Sequence, residues 1–364
     1  MLTSLKLTGF RNFEDFSLNH LTRVNLLVGT NNAGKTTVLE GANILLAGGA
    51  PYALLQSLVR RGEMSLRQLA GGGIAQEGDI CHLFYGHKLE DGAKFRLEGF
   101  NEQRLFVEQE IVPLAGVLSE PTPLPVTQPG TADMTVLPPL ALKIINNYGA
   151  LPLIPLSASG GLNAQHQRIG VSEDWRMVIN FLPSGQLVTF ALGSSWDQIV
   201  LTPEEGRVIQ ALRIIEPAIE RIAALSSSPV RSTPEMYVKL AGSDTRFPLG
   251  SMGDGIRRLL ALAISLVNSA DGYLLVDEID TGFHYSIMVN MWKLIVETAR
   301  RLNIQVLATT HSQDCVLAMA ALFEKTPDVR DEISLHRIEK GANTSIRYSV
   351  EEILEAAHHN MELR

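Results

Sequence analysis

The sequence predicts an α/β fold with a mainly parallel sheet, on three observations. Short apolar runs of buried-strand length occur at Val24–Val28, Gly272–Val276 and Ile304–Thr309. From Tyr237 onward such runs alternate with helical patterns at Ile256–Asn268 and His284–Leu302, the order that parallel sheets require. The chain has 364 residues, 45% hydrophobic and 19% charged, enough for one large core with an inserted lobe.

Each element can be justified in turn. Leu2, Leu5 and Leu7, then Phe10, Phe13, Phe16 and Leu18, space their apolar side chains as two strands joined by a turn. Val24–Val28 is apolar except for Asn25 and leads into a glycine-rich loop. A helix follows from about Lys35 to Leu46 and stops at Gly48-Gly49. Ile80–Tyr85, Lys94–Leu97 and Leu105–Val112 read as strands separated by Gly, Asp and Asn turns. Pro121–Pro139 is rich in Pro and Thr with almost no charge, and reads as an exposed loop. Thr202-Pro-Glu-Glu205 has a capping-box pattern with proline at the first helical position, and predicts an amphipathic helix to about Leu225. The expected division is a core of residues 1–50 and 237–364 around an inserted β-rich and helical lobe, 51–236, with its Pro-rich loop near 113–139. There is no internal repeat and no long heptad run.

Composition excludes several classes. The net charge is -8, which argues against wholesale coating of nucleic acid but leaves a local basic face open. Two cysteines, Cys81 and Cys315, lie far apart without sequence partners at metal-ligand spacing, so neither a disulfide framework nor a zinc site is expected. The first residues lack a signal-peptide core, and the longest apolar stretch, Leu259–Val267, is too short to span a bilayer. A soluble, cytoplasmic protein with no membrane partner is the expectation.

Four segments carry chemistry. Gly29-Thr-Asn31-Asn32-Ala33-Gly34-Lys35-Thr36 fits G-x-x-x-x-G-K-[ST] between a strand and a helix. Such a loop turns successive N–H groups toward phosphates. Lys35 is then expected on the β- and γ-phosphates and Thr36 on Mg²⁺. Tyr273–Glu278 is a buried strand ending in two carboxylates, Asp277 for the Mg²⁺ shell and Glu278 to take a proton from the attacking water. Paired acids at a strand end are also common as helix-capping turns. Ile304–Ser312 is a third strand, ending at His311, placed to sense a γ-phosphate, although a lone histidine is more often structural. Gly250-Ser251-Met252-Gly253-Asp254-Gly255 precedes an apolar helix and forms a second anion-binding helix start, or simply an ordinary cap.

Together these segments resemble the ATP-binding-cassette (ABC) ATPases, a P-loop NTPase fold with an ABC-type head, a mixed sheet and an inserted β/α lobe. Within that group they resemble the branch of RecF-type recombination mediators, SMC-like repair ATPases and the overcoming-lysogenization-defect (OLD) family. Gly9-Phe-Arg11-Asn12-Phe13, Asn31-Asn32-Ala33, Asp277-Glu-Ile-Asp280-Thr-Gly-Phe-His284 and Thr309-Thr310-His311-Ser312 carry the likeness. The resemblance implies ATP and Mg²⁺ as cofactors. It implies nucleotide contacts from Arg11 and Asn12 near the adenine and from the loop through Thr37. It also implies contacts across a homodimer from Ser251 and Gly253 of a signature motif and Asp280 of a D-loop.

The signature is not the transporter form, and Gln68 and Gln76 are the candidates for a Q-loop, neither in a convincing context. About fifty residues follow His311, too few for the TOPRIM nuclease domain of a full OLD protein, and no second acidic cluster suggests a nuclease. The chain therefore looks like a short OLD-like ATPase serving a separately encoded nuclease or effector in antiviral defence. The alternative is a RecF-type repair mediator that clamps duplex DNA. Arg257-Arg258 and Arg60-Arg61 are candidate phosphate contacts, although paired arginines are usually solvated. No N-K-x-D motif supports a GTPase.

Overall fold

The computed structural model describes residues 1–68, 74–114, 140–157, 159–169, 175, 177–185, 189–225 and 235–363. The Pro/Thr-rich stretch 121–139 lies outside them, as does the side chain of Gln68. The chain divides into two compact units, one of Met1–Ser4, Leu18–Leu39 and Met177–Arg364, the other of Leu5–Ser17 and Glu40–Arg176. The division differs from the expected lobe of 51–236: residues 177–236 belong with the first unit, and Leu5–Ser17 with the second.

The first unit is built on a six-stranded sheet. Its order is Ile179–Leu182, Tyr273–Val276, Gln305–Thr309, Val24–Val28, Ile333–Arg337 and Ile346–Tyr348. All neighbours are parallel except the last pair. The three strands that end at the functional segments are buried at every position. This explains their unbroken apolar runs, because a parallel sheet is covered on both faces. Gly272 fits the close approach of the edge strand: a Cβ there would lie 2.3 Å from the Val178 carbonyl oxygen.

Helices Asp254–Val267, Tyr285–Arg301 and Gln313–Lys325 bury apolar stripes in the core of this unit. Their starts follow local chemistry. His284 accepts from the Ser286 N–H, and Ser312 accepts from the Cys315 N–H. The helix expected to run to Leu225 spans only Pro203–Leu212, and Ile219–Leu225 is instead a strand paired antiparallel with Glu235–Leu240. Pro217 has no N–H and disfavours helical geometry at Glu216.

Most of a second sheet lies in the second unit, in the order Ile154–Pro155, Leu140–Asn146, Gln103–Pro113, Lys94–Asn101, Ser4–Phe10 and Phe13–Asn19, antiparallel from Ile154–Pro155 to Lys94–Asn101. A smaller sheet joins Gly161–Asn163, Ile74–Asp79 and Met64–Gln68. Ile80–Tyr85 is not a strand. Ile80–Leu83 is a 3₁₀ turn started by Asp79, whose carboxylate accepts from the Cys81 N–H. A capping aspartate offers the backbone this alternative to a ladder. Helix Pro51–Arg61 begins with proline and ends at Gly62 in the left-handed region (φ 72°).

Candidate nucleotide site

The P-loop leaves the buried strand at Val28 and curls through positive φ at Gly29 (147°), Asn32 (62°) and Gly34 (106°) before the helix starts at Lys35. A side chain at Gly29 is excluded: its Cβ would lie 2.3 Å from the Ile338 carbonyl oxygen. Asn31 and Asn32 are exposed, while Ala33 and Thr37 are buried, so the middle of the loop faces outward and its base is packed. Lys35 Nζ donates to the carbonyl oxygens of Gly29 (2.7 Å) and Thr30 (2.9 Å). Burial holds the Lys35 ammonium below its ordinary range, against the opposite pull of Asp277, Glu278 and Asp280.

Asp277 gathers oxygens. The hydroxyls of Thr36 (3.0 Å) and Thr309 (2.7 Å) both donate to its Oδ1, and the Ser184 hydroxyl approaches Oδ2 at 3.5 Å. Octahedral Mg²⁺ with ligands at about 2.0–2.1 Å places adjacent oxygens about 2.9 Å apart. The 3.0 Å between Thr36 Oγ1 and Asp277 Oδ1 fits that geometry, and both are hard donors.

Glu278 occupies positive φ (48°), uncommon for a residue with a side chain. The conformation is held by its N–H donating to Thr309 Oγ1 at 2.8 Å and by the Ile279 N–H donating to the Thr309 carbonyl at 2.9 Å. The Glu278 carboxylate stands 3.6 Å from His311 Nδ1 and within 3.4 Å of the Thr281 hydroxyl. Asp280 accepts from the Thr310 hydroxyl, which also accepts from the Ser312 N–H. One strand end therefore positions both carboxylates of the neighbouring strand.

Arg258, a candidate phosphate contact by sequence, has a different place in the structure. It is 4% exposed and does not act as a surface phosphate contact. Its guanidinium donates to the carbonyls of Pro183 (2.5 Å), Asp277 (2.8 Å) and Glu278 (3.2 Å). Its burial, though not its partners, follows from the helical stripe it shares with Leu262 and Leu266, both buried. Arg257 is exposed and pairs with Asp254.

The structure brings together Lys35, Thr36, Asp277, Glu278, Asp280 and His311. It does not join Ser251 and Gly253 to them by the hydrogen bonds it describes. The exposed Ser251 hydroxyl donates to the Pro248 carbonyl at 2.7 Å. Gly253, at φ 90°, has open space where a Cβ would stand and caps the helix without a side chain. A Cβ at Gly255 would meet the Gly282 carbonyl oxygen at 3.0 Å, so this helix start packs directly on the loop after Asp280.

Arg11 and Asn12 lie in the second unit. Asn12 is exposed, whereas Arg11 is buried and bound by Glu40 (2.7 Å), Glu63 (3.0 Å) and Ser57 (3.1 Å). In this unit Arg11 is a structural anchor. Arg61 also pairs with Glu40, at 2.8 Å.

A family model described as "AAA domain, putative AbiEii toxin, Type IV TA system" matches residues 171–317, a span that contains Ser251, Asp277, Glu278 and His311. An ATP/GTP phosphatase of Helicobacter pylori is 20% identical over 333 residues, covering 87% of this chain and 86% of that protein. The SMC head bound to the C-winged helix domain of ScpA superposes with a TM-score of 0.56 at 13% identity, covering 97% of this chain and 99% of that one. A Smc head domain with an extended coiled coil, bound to the C-terminal domain of ScpA derived from Pyrococcus furiosus, gives 0.52 at 12% identity, with 99% of each chain covered. The fold is the ABC-type P-loop fold shared with SMC heads, and the candidate site's side chains stand at its strand ends.

Proposed function

We propose that this ABC-type ATPase closes two copies of itself around ATP and Mg²⁺, each copy supplying Ser251, Gly253 and Asp280 to its partner's nucleotide. The observation that carries the proposal is a divided set of groups. Lys35, Thr36, Asp277, Glu278 and His311 are clustered with Asp280 beside them, whereas Ser251 and the helix start at Gly253, which lacks a side-chain cap, sit exposed outside that cluster. A two-fold dimer completes two sites at once.

In each site the Glu278 carboxylate takes a proton from a water as its oxygen bonds to the γ-phosphorus. The bond between that phosphorus and the β–γ bridging oxygen breaks, leaving ADP and phosphate. Thr36 and Asp277 would hold Mg²⁺, which would supply positive charge to the phosphates when bound. Lys35 leaves its loop carbonyls for those phosphates, and His311 donates to the γ-phosphate.

The wider role proposed is the ATPase subunit of an assembly whose effector, a separately encoded nuclease, acts in antiviral defence. Its support is the toxin–antitoxin description of the matching family model, together with the ScpA domains that SMC heads bind. The net charge of -8 weighs against a DNA-coating function.

The test is molecular mass in solution with Mg²⁺ and ATP. The Glu278→Gln variant should be dimeric with ATP and monomeric without it, and Ser251→Arg should bind ATP yet stay monomeric. A Ser251→Arg protein that dimerises like Glu278→Gln would overturn the shared-site reading.

A further inference from the structure

We propose that Asp79, Cys81 and His82 form a binding site for a thiophilic divalent cation of the zinc type, distinct from the Mg²⁺ position at Thr36 and Asp277. The carboxylate oxygen, the thiol sulfur and an imidazole nitrogen lie within 4.8 Å of one another, with Asp79 Oδ2 and His82 Nε2 3.6 Å apart. Tetrahedral zinc with bonds of about 2.0–2.3 Å sets its ligand atoms about 3.3–3.8 Å apart. Only a small closure is needed.

The turn that presents these donors is fixed from beneath. Ile80, Leu83 and Phe84 are buried, and Phe84 meets Phe95 edge-on at 5.2 Å. The Arg11 N–H donates to the Leu83 carbonyl at 2.9 Å, and the Asp79 N–H to the Glu63 carbonyl at 3.0 Å. Asp79 Oδ1 is used by the Cys81 N–H, which leaves Oδ2 for a ligand.

A fourth group completes the argument. His87 Nδ1 stands 3.3 Å from His82 Nδ1. With the proton on His82 Nδ1 donated to His87, His82 Nε2 carries a bare lone pair toward Asp79 and Cys81, the form a metal takes. Metal binding releases the Cys81 thiol proton to solvent as the thiolate forms. The fourth coordination position is left to water. Metal-ligand spacing in the sequence does not reveal the site, because Asp79 and His82 flank Cys81 on a 3₁₀ turn rather than a strand.

The experiment is a Co²⁺ titration of the whole chain followed by absorbance. The expected result is one equivalent bound, with a near-ultraviolet thiolate-to-cobalt charge-transfer band that Zn²⁺ abolishes. The Mg²⁺ position offers oxygen donors and gives no such band. Cys81→Ser should remove the band, and His82→Gln should weaken binding at least tenfold. His87→Gln should weaken it by about 10-fold or more while keeping the band. Circular dichroism and ATP binding, unchanged in each variant, establish that the variants are folded. A wild-type protein without the band, or a band that persists in Cys81→Ser, would overturn the proposal.

Discussion

At Glu278 the backbone is held in left-handed geometry by Thr309, which uses one hydroxyl to accept from the Glu278 N–H and donate to Asp277. The carboxylate is therefore aimed by its neighbours, and Glu278→Gln should keep shape and ATP affinity while lowering turnover by about 10²-fold or more. Single-turnover phosphate release checks this. Thr309→Val should lower turnover with less effect on binding, because it loosens both carboxylates without removing either. Lys35→Ala should abolish ATP binding, as equilibrium titration would show. His336 makes a different residue-scale prediction. It is fully buried, and its Nε2 lies 2.9 Å from Ser334 Oγ, whose proton goes to Asn25. Nε2 therefore carries the proton, and Nδ1 is buried without a partner. Burial, with lesser contributions from Arg347 and His20, holds this imidazole down to about 4, from 6.5. The folded state keeps His336 neutral while the unfolded chain takes up a proton below about 6.5. Its contribution is thus complete above that pH and is lost as pH falls toward about 4. Urea unfolding should show about 2 kcal/mol less stability from this group at about pH 5 than at about pH 7, and His336→Gln should flatten that part of the curve.

Among the elements, the helix Asp254–Val267 matters through both ends of its first two turns. Gly255 puts its start against the loop after Asp280, and one turn later Arg258 grips the carbonyls of Pro183, Asp277 and Glu278. The helix thus links exposed Ser251 and Gly253 to the strand end that bears Asp277 and Glu278. Arg258→Met should preserve the apolar packing but leave buried carbonyls without a donor, at a cost of about 2–4 kcal/mol. It should lower turnover more than ATP affinity. A thermal melt and a kcat-against-KM comparison check the two parts. How these elements could be read from the sequence depends on where their determinants lie. Val24–Val28, Tyr273–Val276 and Gln305–Thr309 were legible because a doubly covered parallel strand needs an unbroken apolar run. The loop at Gly29–Lys35 was legible because its turn through positive φ at Gly29 and Gly34 calls for glycine at fixed spacing. The helix beyond Leu212 was overextended because apolar Ile214, Ile215 and Ile219 continue a helical rhythm across Glu216-Pro217. Ile80–Tyr85 failed for the opposite reason: its apolar residues anchor a turn whose shape Asp79 decides. Neither the grip of Arg258 nor the Thr309 bridge is written in local pattern, since both join segments brought together only by the sheet.

For the whole molecule, the proposed sharing of sites has a thermodynamic signature that no single-chain site can produce. A ligand that binds only the folded state stabilises it by RT ln(1 + [L]/Kd), and if one protomer held a complete site this gain would not depend on protein concentration. If closure around ATP requires a second copy, the liganded species is a dimer, and dilution opposes it by mass action. The rise in melting temperature caused by ATP and Mg²⁺ should therefore grow with protein concentration in Glu278→Gln, where hydrolysis does not reopen the dimer. The melting temperature without nucleotide should stay constant over the same range. In Ser251→Arg the ATP-dependent rise should persist in smaller form but lose its concentration dependence, because Lys35 and its loop still bind while the partner's contact is blocked. Scanning calorimetry over a hundredfold range of protein, at fixed excess nucleotide, separates the two cases. A rise equal at every concentration in Glu278→Gln would mean that Lys35, Thr36, Asp277 and His311 complete the site alone, leaving the exposed Ser251 and Gly253 as an ordinary helix cap.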